Sequence, residues 1–326
     1  MSDDSGVVEV CPTGDIILVV GGEEPLRLRV SSIILRSASK VFDKMFSPPW
    51  SESSRQDITL PEDDIEAMKA ICYAIHHRPD MIPLDDLTGK HVLQAVRVID
   101  KYDLSTAMKL VTDRWLRHNL RAKSVDDLLY MAAAATILKN YEAFSKLTWL
   151  VMILHKGSYL RYQNDDQIRE LFPPGMFFLL AERTCWMRSQ LSAALQEAEP
   201  SEHSKCSCAN ALRILAKGVR EMHGNRSVNG GALHESLREM IELAHAQTYF
   251  QGCCCVSGYN HSVTHELSSE TLNNKLPDWT YSQTSLCLKC LEGDPNLETN
   301  CKHKEKPNGS SLFWNTDAEL NWMFTF

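Results

Sequence analysis

"GDIILVVGGEEPLRLRVSSIILRSASKVFDKMF", from Gly14 to Phe46, decides the fold. Asp15 to Val20 is a short apolar run, Gly21-Gly22 supplies turn residues, and Leu26-Arg27-Leu28-Arg29-Val30 alternates with period two. The two runs therefore read as a β-hairpin. Beyond it, Ser39 to Phe46 places Val41, Phe42, Met45 and Phe46 on one face of a helix. Pro48-Pro49 must end that helix, because proline lacks an amide hydrogen and constrains the residue before it. Asp57 to Leu60 reads as a third short strand. From Asp64 the period becomes helical: Ile65, Met68, Ile71 or Cys72, and Ile75 form one stripe, with Asp63 or Asp64 as its cap. Val92, Val96 and Ile99 form a second stripe, and Ala107, Leu110, Val111 and Trp115 a third. Strands followed by a helical cluster give an α+β domain.

Composition bounds what this domain sits in. A chain of 326 residues is long enough for about two domains with a proper core. Lys+Arg against Asp+Glu gives 15 against 19 over residues 1–122, 8 against 9 over 123–199 and 11 against 14 over 200–326. No segment carries the basic excess that draws phosphate backbones, which argues against nucleic acid as a partner. The start, Met1-Ser2-Asp3-Asp4, is acidic and carries no apolar signal core, and the longest apolar run, Leu147 to Leu154, is far too short to span a membrane. The expectation is an intracellular chain, in cytoplasm or nucleus, whose 11 cysteines are thiols or metal ligands rather than disulfides.

The first third resembles a BTB/POZ domain. The residues that carry the likeness are "GDIILVVG" (Gly14–Gly21), "LRLRVSSIIL" with "SASKVFDKMF" (Leu26–Phe46), "ITLPEDDIEAMKAICYAIHH" (Ile58–His77) and "AVRVIDKYD" (Ala95–Asp103). The family's spaced Leu, Ser and Phe fall on Leu35, Ser39 and Phe42. The resemblance covers roughly residues 11–120 and is closest to fungal proteins with a long C-terminal extension. It implies an interaction module that pairs with itself or recruits other proteins. Many animal relatives carry His and then Lys or Arg where this chain has Ser31 and Ser32. That Lys or Arg lines a charged groove in the transcription-repressor branch, so its absence argues against corepressor-type recognition, although Asp15 is retained.

In the family, the helix ending in Met45-Phe46 forms part of a partner-facing surface. A hydrophobic-x-Glu pattern just after it is used by adaptors that dock on cullin scaffolds of ubiquitin ligases. Trp50-Ser51-Glu52 fits that pattern, so Val41, Phe42, Met45, Phe46, Trp50 and Glu52 are the candidate partner-binding residues. A Trp presented on a Pro-Pro bend buries much apolar area at little conformational cost. Two readings stay open: Trp50 docks on a partner, or it folds back as core with Glu52 exposed.

Residues 123–199 read as all-helical. Ser124 and Asp127 make a capping pair ahead of Leu128, Leu129, Ala132, Ala133 and Ile137. A second helix runs from about Tyr141 through Leu154 with Gly157 as its stop, and Pro173-Pro174 opens a third from Met176 toward Ala198. Trp149, Met152, Phe177, Phe178, Trp186 and Met187 are expected in its core.

Residues 200–326 form a Cys/His-rich region with helix-like stretches near 209–223 and 233–249. Eight of the 11 cysteines lie there, a clustering that in a reducing compartment points to structural zinc. Cys287, Cys290, Cys301 and His303 would make a closed Cys₃His site. A second set can be drawn from Cys206, Cys208, Cys253, Cys255, His261 and His265, and a mixed set would pair Cys206 and Cys208 with Cys287 and Cys290. Zinc would there hold together a loop-rich segment with little core of its own.

Catalysis finds no support in the pattern. The sequence has no Gly-rich phosphate loop, no G-x-S-x-G elbow and no H-E-x-x-H. His76-His77 ends a helix and reads as a dipole partner only. The reading is a non-enzymatic interaction protein, as a homodimer, a recruiter or a cullin-ligase adaptor. Its rival is a BTB-dimerised regulator with a zinc-dependent nucleic-acid-binding tail.

Overall fold

The computed structural model describes residues 6–48, 56–82, 87–197 and 285–293. The chain divides into two compact units, Met1–Leu147 and Thr148–Phe326. The first is built on a four-stranded sheet of β1 (Val7–Glu9), β2 (Ile16–Val20), β3 (Leu26–Val30) and β4 (Asp57–Leu60), in the order β1-β3-β2-β4. β2 and β3 form the expected antiparallel hairpin, paired from Ile16↔Val30 to Val20↔Leu26. β4 lies parallel to β2 and β1 parallel to β3. Alternation sends Ile16, Leu18, Val20, Leu28, Val30, Ile58 and Leu60 inward. On the other face Arg27 meets Asp57 at 3.0 Å and Arg29 meets Glu9 at 3.6 Å, ion pairs that reinforce strand pairing only weakly in water. Gly21, at φ +93°, closes the hairpin, and a Cβ there would strike the side chain of Ile65 at 2.9 Å.

The helices that follow are α1 (Ser32–Ala38), α2 (Lys40–Met45), α3 (Ile65–Ile75), α4 (Gly89–Lys101), α5 (Lys109–Trp115), α6 (Val125–Ile137) and α7 (Tyr141–Leu154), the last containing the boundary between the units; α3 meets β3, α1 and α4, and α4 meets α6. α3 buries Met68, Ile71, Cys72 and Ile75, and Asp64 caps it by accepting from the Ala67 amide at 2.8 Å. Burial pushes the Cys72 thiol up to about 12, which makes it a packing residue rather than a nucleophile. α4 buries Val92, Val96 and Ile99 as expected. The stripe expected at Ala107, Leu110, Val111 and Trp115 is corrected. Asp103, at φ +50°, ends the preceding turn, α5 begins only at Lys109, and its buried face is Thr112 and Trp115 with Met108 just before it. Leu110 is left 83% exposed.

α6 starts with the expected capping box of Ser124 and Asp127 and packs along α4. Its run Leu128, Leu129 and Met131 to Ala135 is buried almost all round, so this helix is core. The contact is closest where Gly89, the first residue of α4, donates its amide to Asp127 Oδ1 at 2.6 Å. Asn140 caps α7 through the Ala143 amide at 3.1 Å and holds Asp113 of α5 at 2.8 Å.

In the second unit, α8 (Leu160–Gln163) and α9 (Met176–Glu197) accompany an aromatic cluster. His155 lies 4.4 Å from Tyr159, Tyr162 stacks on Phe177 at 6.3 Å, and Phe172 meets Phe177 edge-on at 5.7 Å. α9 buries Met176, Phe177, Leu180, Thr184 and Met187 at helical spacing. Trp149 and Met152 are buried as expected, whereas Trp186 is half-buried and Phe178 is 70% exposed, on the opposite side of the helix from Leu180. A short helix at Leu288–Gly293 is also described in this unit. The helix-like stretches near 209–223 and 233–249 lie outside the described residues. Among the described residues, no helix is long and apolar enough to cross a membrane.

Candidate protein-interaction surface

The candidate surface is organised by the joint between α1 and α2. Ser39 sits there with extended backbone, and its hydroxyl does two jobs: it accepts from the Phe42 amide at 3.0 Å, capping α2, and donates to the Tyr102 carbonyl at 2.5 Å. Phe42 is fully buried and lies between Tyr102, stacked at 4.5 Å, and Phe46 at 5.6 Å. The Tyr102 hydroxyl donates to Asp63 Oδ2 at 2.6 Å, and Lys101 holds Asp63 Oδ1 at the same distance. Burial, reinforced by the Asp63 carboxylate, keeps the Tyr102 phenol far above its ordinary pKa, so it remains a donor. Leu35, Ser39 and Phe42 thus form the interior of the joint, with Leu35 also fully buried.

Phe42 is therefore placed differently from the partner-facing position expected of it, since it has no exposed area to offer. Val41, Met45 and Phe46 are half-buried along the same helix. Trp50 and Glu52 lie outside the described residues. Among the described residues of the first unit, further large apolar side chains face solvent: Ile33 at 76% exposed, Met81 at 45% and Leu110 at 83%. The sequence offered a signal only for Leu110, and that signal assigned it to a buried stripe.

α1 has no cap of its own, because the Ser31 side chain makes no capping bond. Its two leading amides are taken by distant groups. Asp15 accepts from the Ser32 amide at 2.7 Å and from the Ser32 hydroxyl. Burial works against ionisation of Asp15, but these bonds outweigh it and hold the carboxyl below its ordinary value. The Ser31 amide donates to His76 Nε2 at 3.0 Å, while His76 Nδ1 bonds the Cys72 carbonyl at 2.8 Å. His76 is thus a neutral strut between α3 and α1, a role its sequence context did not reveal.

This strut predicts a pH dependence. Burial, together with the neighbouring His77, lowers the His76 pKa below 6.5, against the opposing pull of the Cys72 carbonyl. The unfolded chain then binds a proton that the folded chain refuses. The contribution is fully present above pH ~6.5 and is lost as pH falls from there through the folded value. Urea midpoints from pH 8 to pH 5 should fall more steeply for the parent than for His76→Gln. Parallel slopes would remove His76 from the account.

Beside the joint, Gly21, Gly22, Glu62, Asp63, Arg97 and Lys101 border an open depression of about 750 Å³. Its polar lining is made of carboxylates, Gln94, Arg97 and Lys101, and of these Asp63 and Lys101 are already engaged with each other and Asp63 with Tyr102. Of the zinc candidates, Cys287 and Cys290 are described: one directly precedes the short helix, the other lies three residues on, and both are buried beside Leu286, Leu288 and Leu291. Cys301, His303, Cys206, Cys208, Cys253, Cys255, His261 and His265 lie outside the described residues. Among the described residues, no three His, Cys, Asp or Glu side chains converge as a metal site.

A comparison with curated proteins finds no match. The family model of the BTB/POZ domain matches residues 12–118, a span that runs from just before β2 to just past α5. The hairpin with its parallel β4, the α1–α2 joint and the α3–α5 cluster are thus one recognisable unit, and residues 12–118 form a BTB/POZ domain, a protein–protein interaction module.

Proposed function

We propose that this chain is a non-catalytic recruiter whose BTB/POZ domain self-associates and presents the α2 segment to a cullin-type scaffold. The observation that carries this reading is the set of half-buried apolar side chains, Val41, Met45 and Phe46, that flank the fully buried Phe42 on one face of the same short helix. Rigid, partly exposed apolar residues on a braced helix suit an interface, because little freedom is lost when they are covered. Trp50 and Glu52 follow in the sequence, and in this reading Trp50 is the apolar anchor and Glu52 an oriented charge. The Cys/His-rich region holds structural zinc, with Cys287 and Cys290 as two thiolate ligands and Cys301 and His303 completing them. No part of the chain turns over a substrate, and the chain works in the cytoplasm or nucleus.

Pull-down of the full chain with a cullin N-terminal region tests the docking. Trp50→Ala should weaken it roughly thirtyfold, the loss of a hot-spot residue. Undiminished binding would take Trp50 out of the interface. Elemental analysis of the same preparation should find about one zinc per chain, lost in Cys287→Ser with Cys290→Ser. Salt-sensitive retention of the chain on DNA would instead favour a nucleic-acid-binding tail.

A further inference from the structure

Arg36 and Ser47 share a contact that docking does not require. Arg36, in the last turn of α1, gives Nε to Asp43 Oδ1 at 2.8 Å and Nη2 to Ser47 Oγ at 3.3 Å. The Ser47 hydroxyl in turn donates to the Asp43 backbone carbonyl at 2.7 Å. Ser47 follows the C-cap of α2 and is partly exposed, and Pro48 after it is exposed. A serine followed directly by proline suits a proline-directed protein kinase, because proline brings no amide hydrogen that the kinase cleft would leave unsatisfied.

We propose that Ser47 is a phosphoacceptor site and that Arg36 is the built-in receptor for its phosphate. In the transfer, Ser47 Oγ bonds to the γ-phosphorus of a nucleoside triphosphate. The bond from that phosphorus to its bridging oxygen breaks and the nucleoside diphosphate departs. The hydroxyl proton goes to the base of the kinase. The ester carries a charge of about −1.5 to −2 at pH 7 and can no longer donate to the Asp43 carbonyl. Its oxygens form where a guanidinium already stands. Asp43 is the competing anion, but Arg36 and Asp43 are 44% and 53% exposed, so their pairing in water is weak. The phosphate outcompetes it through greater charge and a fork-matching geometry. An anion just past a helix C-terminus is disfavoured by the helix dipole, and Arg36 supplies the compensating charge. Phosphorylation thereby ties the end of α1 to the chain leaving α2, three positions before Trp50. The proposal stands whether or not that segment docks on a cullin.

The test uses the full-length chain, a proline-directed kinase and magnesium ATP. Peptide mass spectrometry should place phosphate on Ser47 in the folded protein. Ser47→Ala should lose that site, and Pro48→Ala should slow its modification by about tenfold or more. Phosphorus NMR of the modified protein then reads the second ionisation of the phosphate. At low salt it should lie a few tenths of a pH unit lower in the parent than in Arg36→Ala, with the gap closing as salt is added. Phosphate reaching Ser47 only after denaturation would overturn the site. Identical titrations in the parent and in Arg36→Ala, with native circular dichroism in both, would overturn the receptor.

Discussion

Gly89→Ala should cost the first unit about 3 kcal/mol, the upper range for overpacking a well-filled core. A Cβ at this position would stand 2.5 Å from Asp127 Cα and 2.6 Å from its carbonyl carbon, and closer still to its carbonyl oxygen. Those are backbone atoms, so no rotamer change relieves the clash. α6 must lift from α4, and with it goes the Gly89 amide bond to Asp127. The loss should appear as a lower urea midpoint and faster hydrogen exchange in both α4 and α6. Gly6→Ala is the control, since nothing lies within 4 Å of the added carbon there. Unchanged exchange in α6 would show that the helix is not seated on α4 through this glycine. The same contact explains why α6, beyond the family match at residue 118, is structurally part of the first unit.

The parts legible in the sequence are those whose signals are local and repeated. The β2–β3 hairpin is one, with a short apolar run and five alternating residues on either side of a glycine turn, and the stripes of α3 and α4 are others. β1 is only three residues long and pairs in parallel with a strand some twenty positions on, so no local period announces it. α1 carries no local signal for a related reason. Its amides are satisfied by Asp15 and His76, both remote in sequence, and Ser31 supplies no cap of its own. The phase of α5 is not legible because Ala107, the first member of the apolar spacing, lies in the turn before α5 starts at Lys109. At the candidate site, the helical face of Val41, Phe42, Met45 and Phe46 was legible as a face. Which member turns inward was not, because that depends on Tyr102, sixty residues away.

Phe42→Ala should be the most destabilising single change in the α1–α2 joint, at about 3–5 kcal/mol. The ring is fully buried and contributes two stacking contacts, and deleting it leaves a cavity that Ser39, tied to the Tyr102 carbonyl, cannot collapse to fill. Against a total stability of roughly 5–15 kcal/mol, a loss of that size populates the unfolded unit near body temperature. Lost partner binding in this variant would therefore report unfolding and say nothing of the interface. Met45→Ala, at a half-buried position of the same helix, should keep a near-parental urea midpoint and is the proper probe of docking. Tyr102→Phe separates the two halves of the joint, because the stacked ring remains while Asp63 loses one of its two donors. Its expected cost is smaller, about 1–3 kcal/mol for a buried carboxylate left partly unsatisfied. If Phe42→Ala unfolds no earlier than Tyr102→Phe, the joint is held by the Asp63 bonds rather than by ring packing, and the seating of α2 against Tyr102 must be assigned to polar contacts instead.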